Sequence, residues 1–138
     1  MASRVYLDTS AVAKLFVAEK ESSDLRRWLA SHPEPPMFVS SALLGVELAR
    51  LLGLVNPAMV DAANSFLAAD IDIVEITPPV LGDAASVPPP RLRTLDAIHL
   101  ATALDLRNSL DVMLTYDKVL AEAARTAGLA VACPGAAY

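Results

Sequence analysis

Residues 4–11 of the chain read Arg-Val-Tyr-Leu-Asp-Thr-Ser-Ala, and this stretch decides the predicted fold. Residues 5–7 form a short apolar run that is typical of a buried β-strand, and an apolar pattern with helical spacing follows at 10–18. Asp8 stands at the junction between the two. A strand that runs directly into a helix is the first half of a βαβ unit, which predicts a parallel sheet.

The same alternation continues along the chain. Further strands are predicted at 37–39, 71–76, 111–116 and 129–132. Helices are predicted at 23–31 and 118–127, and others begin near Ser41, Pro57, Thr77 and Thr94. The expected N-caps include Thr9 or Ser10 for the first helix and Thr94 for its own helix. The pattern predicts a parallel sheet flanked by helices, in one domain spanning residues 1–138.

The bulk composition fits a well-buried folded chain. Its 138 residues are 54% hydrophobic, and a chain of this length can bury a core without metal or disulfide support. No apolar run reaches the roughly 18 residues needed to cross a bilayer, and no basic-then-apolar leader precedes the first strand. Cys133 is the single cysteine, so no intrachain disulfide can form. We therefore expect a cytoplasmic protein without membrane contact.

The charge of the chain does not favour a nucleic-acid partner. The formal net charge is −5, whereas an extended nucleic-acid surface usually shows a basic excess. Eight of the eleven basic residues are arginines, and arginine is the better bidentate ligand for phosphate. Charge alone therefore leaves nucleic acid open as a partner.

Four carboxylates stand at positions that a parallel sheet would bring together: Asp8, Glu47, Asp96 and Asp117. Two of them end predicted strands and two lie in predicted helices. In open α/β sheets, ligands bind beyond the carboxyl ends of the strands. Converging carboxylates repel one another, so such a cluster usually holds a divalent cation. The pattern indicates metal-assisted phosphoryl chemistry.

Each acid also has a purely structural explanation. Asp8 and Asp117 can cap the helices that follow them, and Asp96 is favoured near a helix N-terminus by the helix dipole. Glu47 borders an apolar helix stripe, where it can pair with Arg50. Taken singly, Glu47 and Asp96 need no further explanation. Taken together, the four positions favour a shared site.

Two neighbours of these acids bear on the site. Thr115 alternates with Asp117 on the predicted strand, so both side chains are expected on one face, where the hydroxyl can orient a ligand or water. His99 follows Asp96 by three residues on an apolar helix. A lone histidine in that setting is more often a hydrogen-bonded core residue than a metal ligand, and no second histidine is placed to help it.

Four parts of the sequence resemble the PIN-domain ribonucleases: Val-Tyr-Leu-Asp8-Thr-Ser-Ala, the mid-chain Glu47, Leu-Asp96-Ala-Ile-His-Leu-Ala-Thr-Ala and Leu-Thr-Tyr-Asp117. Within that family, the size and the ending Ala-Gly128-Leu-Ala-Val-Ala-Cys-Pro134-Gly are similar to VapC-type toxins of bacterial toxin–antitoxin pairs. The resemblance extends over residues 4–135, and the part around Asp96 is the most specific.

The resemblance implies a three-layer α/β/α sandwich with a central parallel sheet and an acidic pocket that holds Mg²⁺ or Mn²⁺. Asp8 and Asp96 would be direct metal ligands, and Asp117 and Glu47 would bind directly or through water. The metal would activate a water for attack on an RNA phosphodiester. The side chains implied to orient ligands or water are those of Thr9, Ser10 and Thr115.

The resemblance also implies partners. These are a cognate antitoxin that blocks the pocket, a second copy of the chain in a homodimer or a hetero-oligomer with the antitoxin, and a structured RNA substrate such as tRNA or a ribosomal loop. The basic residues expected to hold the RNA backbone, from their nearness in sequence to pocket-forming segments, are Arg4, Lys14, Arg91, Arg93 and Lys118.

Three other functions remain open at this point. A haloacid-dehalogenase-like phosphatase would need a second aspartate two residues after Asp8, where the chain has Ser10. A receiver-type signalling domain would need adjacent acids after the first strand, and Leu7 precedes Asp8. The third alternative is a catalytically silent module that keeps the PIN fold only for binding, although it would be free to lose the four acids.

Overall fold

The computed structural model describes residues 2–138 and contains one parallel sheet of five strands. The strands are β1 (Arg4–Leu7), β2 (Met37–Ser41), β3 (Ile71–Val74), β4 (Val112–Leu114) and β5 (Val131–Ala132). Their order across the sheet is β3-β2-β1-β4-β5, and every neighbouring pair is parallel. The predicted parallel sheet is therefore confirmed, although β3, β4 and β5 are shorter than the sequence pattern indicated.

Seven α-helices connect the strands within the same described residues. They are α1 (Thr9–Phe16), α2 (Ser22–Ala30), α3 (Leu43–Val55), α4 (Val60–Asp70), α5 (Pro78–Ala84), α6 (Thr94–Asp105) and α7 (Lys118–Thr126). Short 3-10 turns at Pro57–Met59 and Arg107–Ser109 precede α4 and β4. No helix in residues 2–138 combines the length and apolar character needed to cross a membrane.

The helices cover both faces of the sheet. Val5 and Leu7 of β1 pack into a core cluster with residues of α1, α2, α3 and α4. Tyr6, which points to the opposite face because side chains alternate along a strand, packs with residues of α6 and α7. The expected three-layer α/β/α sandwich is confirmed.

The order of the strands places a crevice at the carboxyl end of β1. This strand pairs with β2 on one side and with β4 on the other. From β1 the chain adds β2 and β3 on one side, and it then crosses to add β4 and β5 on the other side, so the order of strand addition reverses between β1 and β4. Leu7 lies beside Leu114 in this pair, and Asp8 follows Leu7 directly. Ligand sites of open parallel sheets form at such a reversal.

Two of the predicted N-caps are wrong. Asp8, rather than Thr9 or Ser10, caps α1, because its backbone is extended and its carboxylate accepts a hydrogen bond from the amide of Ala11. Arg93, rather than Thr94, occupies the N-cap position of α6, where no side chain caps the helix.

Candidate active site

Asp8 lies at the centre of the crevice and is 2% exposed. Its Oδ2 accepts a hydrogen bond from the Thr115 hydroxyl at 2.6 Å. The Ser10 hydroxyl lies 2.7 Å from Oδ1 and 2.9 Å from Oδ2, and the Ala11 amide donates to Oδ1 at 3.0 Å. Burial raises the pKa of Asp8, and the hydrogen bonds from Thr115 and Ser10 oppose that rise. Asp8 is therefore a deeply buried carboxylate whose position is fixed on several sides.

Thr115 links Asp8 to the last of the four acids. Its hydroxyl oxygen accepts a hydrogen bond from the amide of Asp117 at 3.1 Å while donating to Asp8. Asp117 in turn caps α7, where its Oδ1 accepts from the Leu120 amide at 2.9 Å. Strand β4 already ends at Leu114, so a loop, not strand alternation, places Thr115 and Asp117 here. The structural explanation of Asp8 and Asp117 is confirmed, since each caps the helix that follows it, and both residues lie where β1 and β4 end.

Glu47 reaches the crevice from α3 and is held at one oxygen. Its Oε1 accepts hydrogen bonds from the Thr9 hydroxyl and from His99 Nε2, each at 2.7 Å. Burial opposes ionisation of this carboxyl, but the hydrogen bonds from His99 and Thr9 outweigh it, so the pKa of Glu47 lies below its usual range. Glu47 is therefore a carboxylate at neutral pH.

Asp96 and Asp117 share one arginine. The Nε of Arg93 lies 3.5 Å from Oδ2 of Asp96, and its Nη2 lies 3.1 Å from Oδ2 of Asp117. The Arg93 side chain is 80% exposed, whereas those of the two acids are 18% and 22% exposed. An exposed arginine thus bridges two carboxylates that are largely enclosed.

The acids act on one another electrically. Burial raises the pKa of Asp96, the charges of Asp117 and Asp8 raise it further, and Arg93 opposes these effects. Arg93 links Asp96 to Asp117, and Thr115 links Asp117 to Asp8, so the three carboxyl groups lie around one end of the crevice. A cavity of about 280 Å³ opens beside it, lined by Glu47, Arg93, Thr94, Leu95 and Asp96.

The donor set suits a hard divalent cation, because it consists of carboxylate and hydroxyl oxygens, the ligands that Mg²⁺ and Mn²⁺ prefer. Within residues 2–138, however, no three histidine, cysteine, aspartate or glutamate side chains are already close enough to form a finished metal site. The Arg93 guanidinium pairs with both Asp96 and Asp117 and so lies between these two acids. The residues fit a metal in chemistry and need a local rearrangement to close around it.

The PIN domain family model matches residues 5–126 of this chain. The chain belongs to the PIN-domain family. Ribonuclease VapC47 of Mycobacterium tuberculosis is 38% identical to this PIN domain over 134 residues, which are 96% of this chain and 98% of the relative. Ribonuclease VapC35 of the same organism is 44% identical over 135 residues, again 96% and 98% of the two chains. The resemblance to the VapC branch of the family is thereby confirmed.

Solved structures agree on the PIN fold. The sarcin-ricin loop cleaving toxin VapC20 of Mycobacterium tuberculosis superimposes with a TM-score of 0.74 at 19% identity, covering 94% of this chain and 99% of the other. FitAcB of Neisseria gonorrhoeae gives a TM-score of 0.67 at 22% identity, with 94% and 97% covered. At these identities the likeness concerns the fold alone.

The structure corrects two of the five basic residues expected to hold RNA. The Lys14 ammonium is buried, pairs with Glu19 at 3.1 Å and Glu21 at 3.0 Å, and is not free for a phosphate. Arg4 is the first residue of β1 and therefore lies at the end of this strand away from Asp8. Its side chain bonds there to Asp72 and Ser109.

The other three basic residues lie on the outside of the PIN domain. Arg93 is at the crevice itself, and Lys118 is exposed at the start of α7. Arg91 is 71% exposed, with a loose contact of 3.9 Å to Glu122. Their positions are compatible with the expected contact to an RNA backbone.

Two features of the PIN-domain site were not predicted. His99 is a buried, hydrogen-bonded residue as expected, but its bond to Glu47 was not foreseen. The spacing carried a signal, since residues three apart on a helix share a face and His99 follows Asp96 by three. The second feature is the ion pair of Arg93 with Asp96, in which Arg93 precedes Asp96 by three residues.

Proposed function

We propose that this PIN domain is the toxin of a type II toxin–antitoxin pair, a metal-dependent endoribonuclease that hydrolyses RNA phosphodiester bonds. The observation that carries the proposal is the linkage of three acids beyond β1 and β4, in which Thr115 joins Asp8 to Asp117 and Arg93 joins Asp117 to Asp96. The relatives of 38% and 44% identity over nearly the whole chain, both named ribonucleases, support it. The proposal places the whole activity in one domain.

The proposed metal is Mg²⁺, with Mn²⁺ as an alternative, held by Asp8, Asp96 and Asp117. When bound, such an ion makes water a stronger acid and offsets the negative charge of the phosphate. Asp8 and Asp96 both have a raised pKa, so ionisation of both carboxyl groups is unfavourable in the metal-free protein. A bound cation would favour the ionised form of each. Arg93 would have to leave the space between Asp96 and Asp117, which its exposure permits.

The residues of the chain divide the remaining tasks. Ser10 and Thr115 hold Asp8 through hydrogen bonds to its two oxygens. Thr9 helps to hold Glu47, which stays ionised and can accept a proton from a water that attacks the phosphorus. Arg91, Arg93 and Lys118 are proposed to contact the RNA backbone, since each is exposed, Arg93 contacts Asp117 and Lys118 follows Asp117 directly.

The proposed substrate is a structured RNA such as tRNA, and the proposed partner is a cognate antitoxin. One related fold is part of a toxin–antitoxin complex from Klebsiella pneumoniae, with a TM-score of 0.62. We propose that the chain likewise binds an antitoxin and forms a homodimer or a hetero-oligomer with it. An RNA substrate implies that the protein acts in the cytoplasm.

Cleavage of RNA by the purified, antitoxin-free protein tests the proposal. Total RNA is incubated with Mg²⁺ or Mn²⁺, with and without EDTA, beside the variants Asp96→Asn and Asp105→Asn. Asp105 is an exposed aspartate on the same helix, so its substitution makes the same chemical change away from the crevice. Discrete cleavage that requires metal, persists in Asp105→Asn and is lost in Asp96→Asn supports the proposal.

Two results would contradict it. Cleavage by Asp96→Asn equal to that of the wild type would point to a contaminating nuclease and remove the role of the carboxylates. Absence of cleavage by folded protein would instead favour the silent binding module. The family match leaves no place for the phosphatase or receiver alternatives.

A further inference from the structure

A chain of buried hydrogen bonds crosses from one layer of the sandwich to the other. Tyr6 on β1 is 0% exposed and His99 on α6 is 1% exposed. The Tyr6 hydroxyl lies 2.8 Å from His99 Nδ1, and His99 Nε2 lies 2.7 Å from Oε1 of Glu47 on α3. One imidazole ring thus joins three separate elements, and the chain of hydrogen bonds ends at Glu47, an acid of the crevice.

The chemistry of the partners sets the direction of these bonds. An ionised carboxylate can only accept, so the proton between His99 and Glu47 belongs to Nε2 of the imidazole. Burial raises the pKa of Tyr6, which keeps its phenol protonated and able to donate to Nδ1. The Tyr6 hydroxyl therefore selects the tautomer in which His99 donates to Glu47.

The ring of His99 has little freedom to turn away. Its plane stands at 81° to the ring of Tyr6, with the ring centroids 5.9 Å apart in an edge-on contact. Both ring nitrogens are engaged, and the side chain is enclosed on all sides. A hydrogen bond donated by such a ring fixes the position of its acceptor as well as its charge.

The two oxygens of Glu47 have different surroundings. Both Thr9 and His99 donate to Oε1, whereas Oε2 accepts no hydrogen bond from any side chain or amide of residues 2–138. Glu47 also lines the cavity beside Asp96. The side chain is 21% exposed, so it is held from the protein side and open on the other.

We propose that His99, set in one tautomer by Tyr6, is a positioning residue that holds Glu47 so that its second oxygen faces the reacting water. This inference rests on the proposed function, because it assigns a task to His99 within the same site. In this role His99 acts through Glu47 and contacts neither the RNA nor the metal itself.

A double-mutant cycle separates positioning from a structural role. His99→Leu removes the donor and keeps an apolar side chain in the core, and the same change is made in a Glu47→Gln background. We expect His99→Leu alone to lower kcat by about tenfold or more, with KM for the RNA changed by no more than about twofold. In the Glu47→Gln background, His99→Leu should add almost no further loss, because the carboxylate it positions is gone.

Rescue by a related side chain and metal binding give independent readouts. The amide nitrogen of glutamine can donate near the place of Nε2, so His99→Gln should recover part of the lost kcat. Mn²⁺ affinity, measured by electron paramagnetic resonance without RNA, should stay within about twofold of the wild type, because the three aspartates keep their places. Thermal unfolding of each variant identifies any that fail to fold.

Tyr6→Phe carries the test if His99→Leu does not fold. This substitution removes the hydroxyl that bonds to His99 on the side away from Glu47. We expect a smaller loss of kcat, which also disappears in the Glu47→Gln background. Losses that add fully in the double mutant, or an unchanged kcat in His99→Leu, would overturn the inference while leaving the nuclease intact. A wild-type protein that cleaves no RNA would overturn the proposed function and this inference with it.

Discussion

The guanidinium of Arg93 lies 3.1 Å from Oδ2 of Asp117, at the crevice beyond the ends of β1 and β4. The same group lies 3.5 Å from Asp96. The chain thus supplies its own positive charge to a cluster of acids that would otherwise repel one another.

Removal of the Arg93 charge is expected to strengthen metal binding. Arg93→Ala leaves Asp96 and Asp117 without their shared cation, so Mn²⁺ no longer competes with it. Two exposed ion pairs are together worth about 1 kcal/mol, which corresponds to a gain in affinity of about three- to tenfold. Titration with Mn²⁺ near pH 8 measures it, with Arg91→Ala as the control because Arg91 contacts Glu122 instead. An affinity that is unchanged or lower in Arg93→Ala would contradict this view of the bridge.

Thr115 is expected to control metal affinity without being a ligand. Its hydroxyl binds both Asp8 and the amide of Asp117, so Thr115→Val frees two parts of the cluster at once. Loss of such an outer hydrogen bond typically lowers metal affinity or activity by about ten- to a hundredfold. Thr102→Val is the matched control, because Thr102 is equally buried and its hydroxyl donates to the carbonyl of Ile98 rather than to an acid of the crevice. Equal effects of the two substitutions would show that a general loss of packing is responsible.

The stability of the metal-free protein is expected to fall with rising pH because of Asp8. Its raised pKa means that the folded protein holds this proton more tightly than the unfolded chain does. The stabilisation is complete below the unfolded-state pKa of about 4 and is lost as the pH rises through the higher folded-state pKa. Urea unfolding in EDTA should therefore show a larger loss between about pH 4 and about pH 8 for the wild type than for Asp8→Asn. Parallel curves would refute this, and added Mn²⁺ should reduce the difference.

Lys14 and Lys118 are expected to behave in opposite ways. Lys14→Met leaves Glu19 and Glu21 without their partner and should cost about 1–3 kcal/mol of unfolding free energy, with little change in KM for the RNA. Lys118→Ala should leave stability unchanged within about 0.5 kcal/mol and raise KM. Urea unfolding and cleavage kinetics measure the two effects. A raised KM for folded Lys14→Met would restore Lys14 as an RNA contact.

The parts of the site that the sequence could predict are those formed locally. Asp8 and Asp117 each follow a strand and begin a helix, and such a junction is written in consecutive residues. In a parallel sheet the carboxyl ends of all strands lie on the same side, so both junctions are on that side whatever the order of the strands. Their convergence is therefore predictable once the alternation of strands and helices is recognised.

The contacts that the sequence could not predict depend on how distant elements pack. The bond between His99 and Glu47 joins residues 52 positions apart, and it exists only because α3 and α6 approach each other at the sheet edge. Lys14 is near Asp8 in sequence, but the following loop folds back and encloses its ammonium. The error for Arg4 has a different cause. Arg4 is close to Asp8 in sequence, but β1 lies between them, so the two residues are at opposite ends of this strand.

The hydrogen bond between Thr115 and Asp8 has a consequence for the cell that makes the protein. The two residues are 107 positions apart, so the cluster has no complete wall until the segment that carries Thr115 has been synthesised and has packed beside β1. A polypeptide still attached to its ribosome, with Thr115 and Asp117 inside the exit tunnel, lacks two of the groups that shape the crevice. The ribosome that translates this message is therefore not exposed to the complete crevice until that segment has left the tunnel.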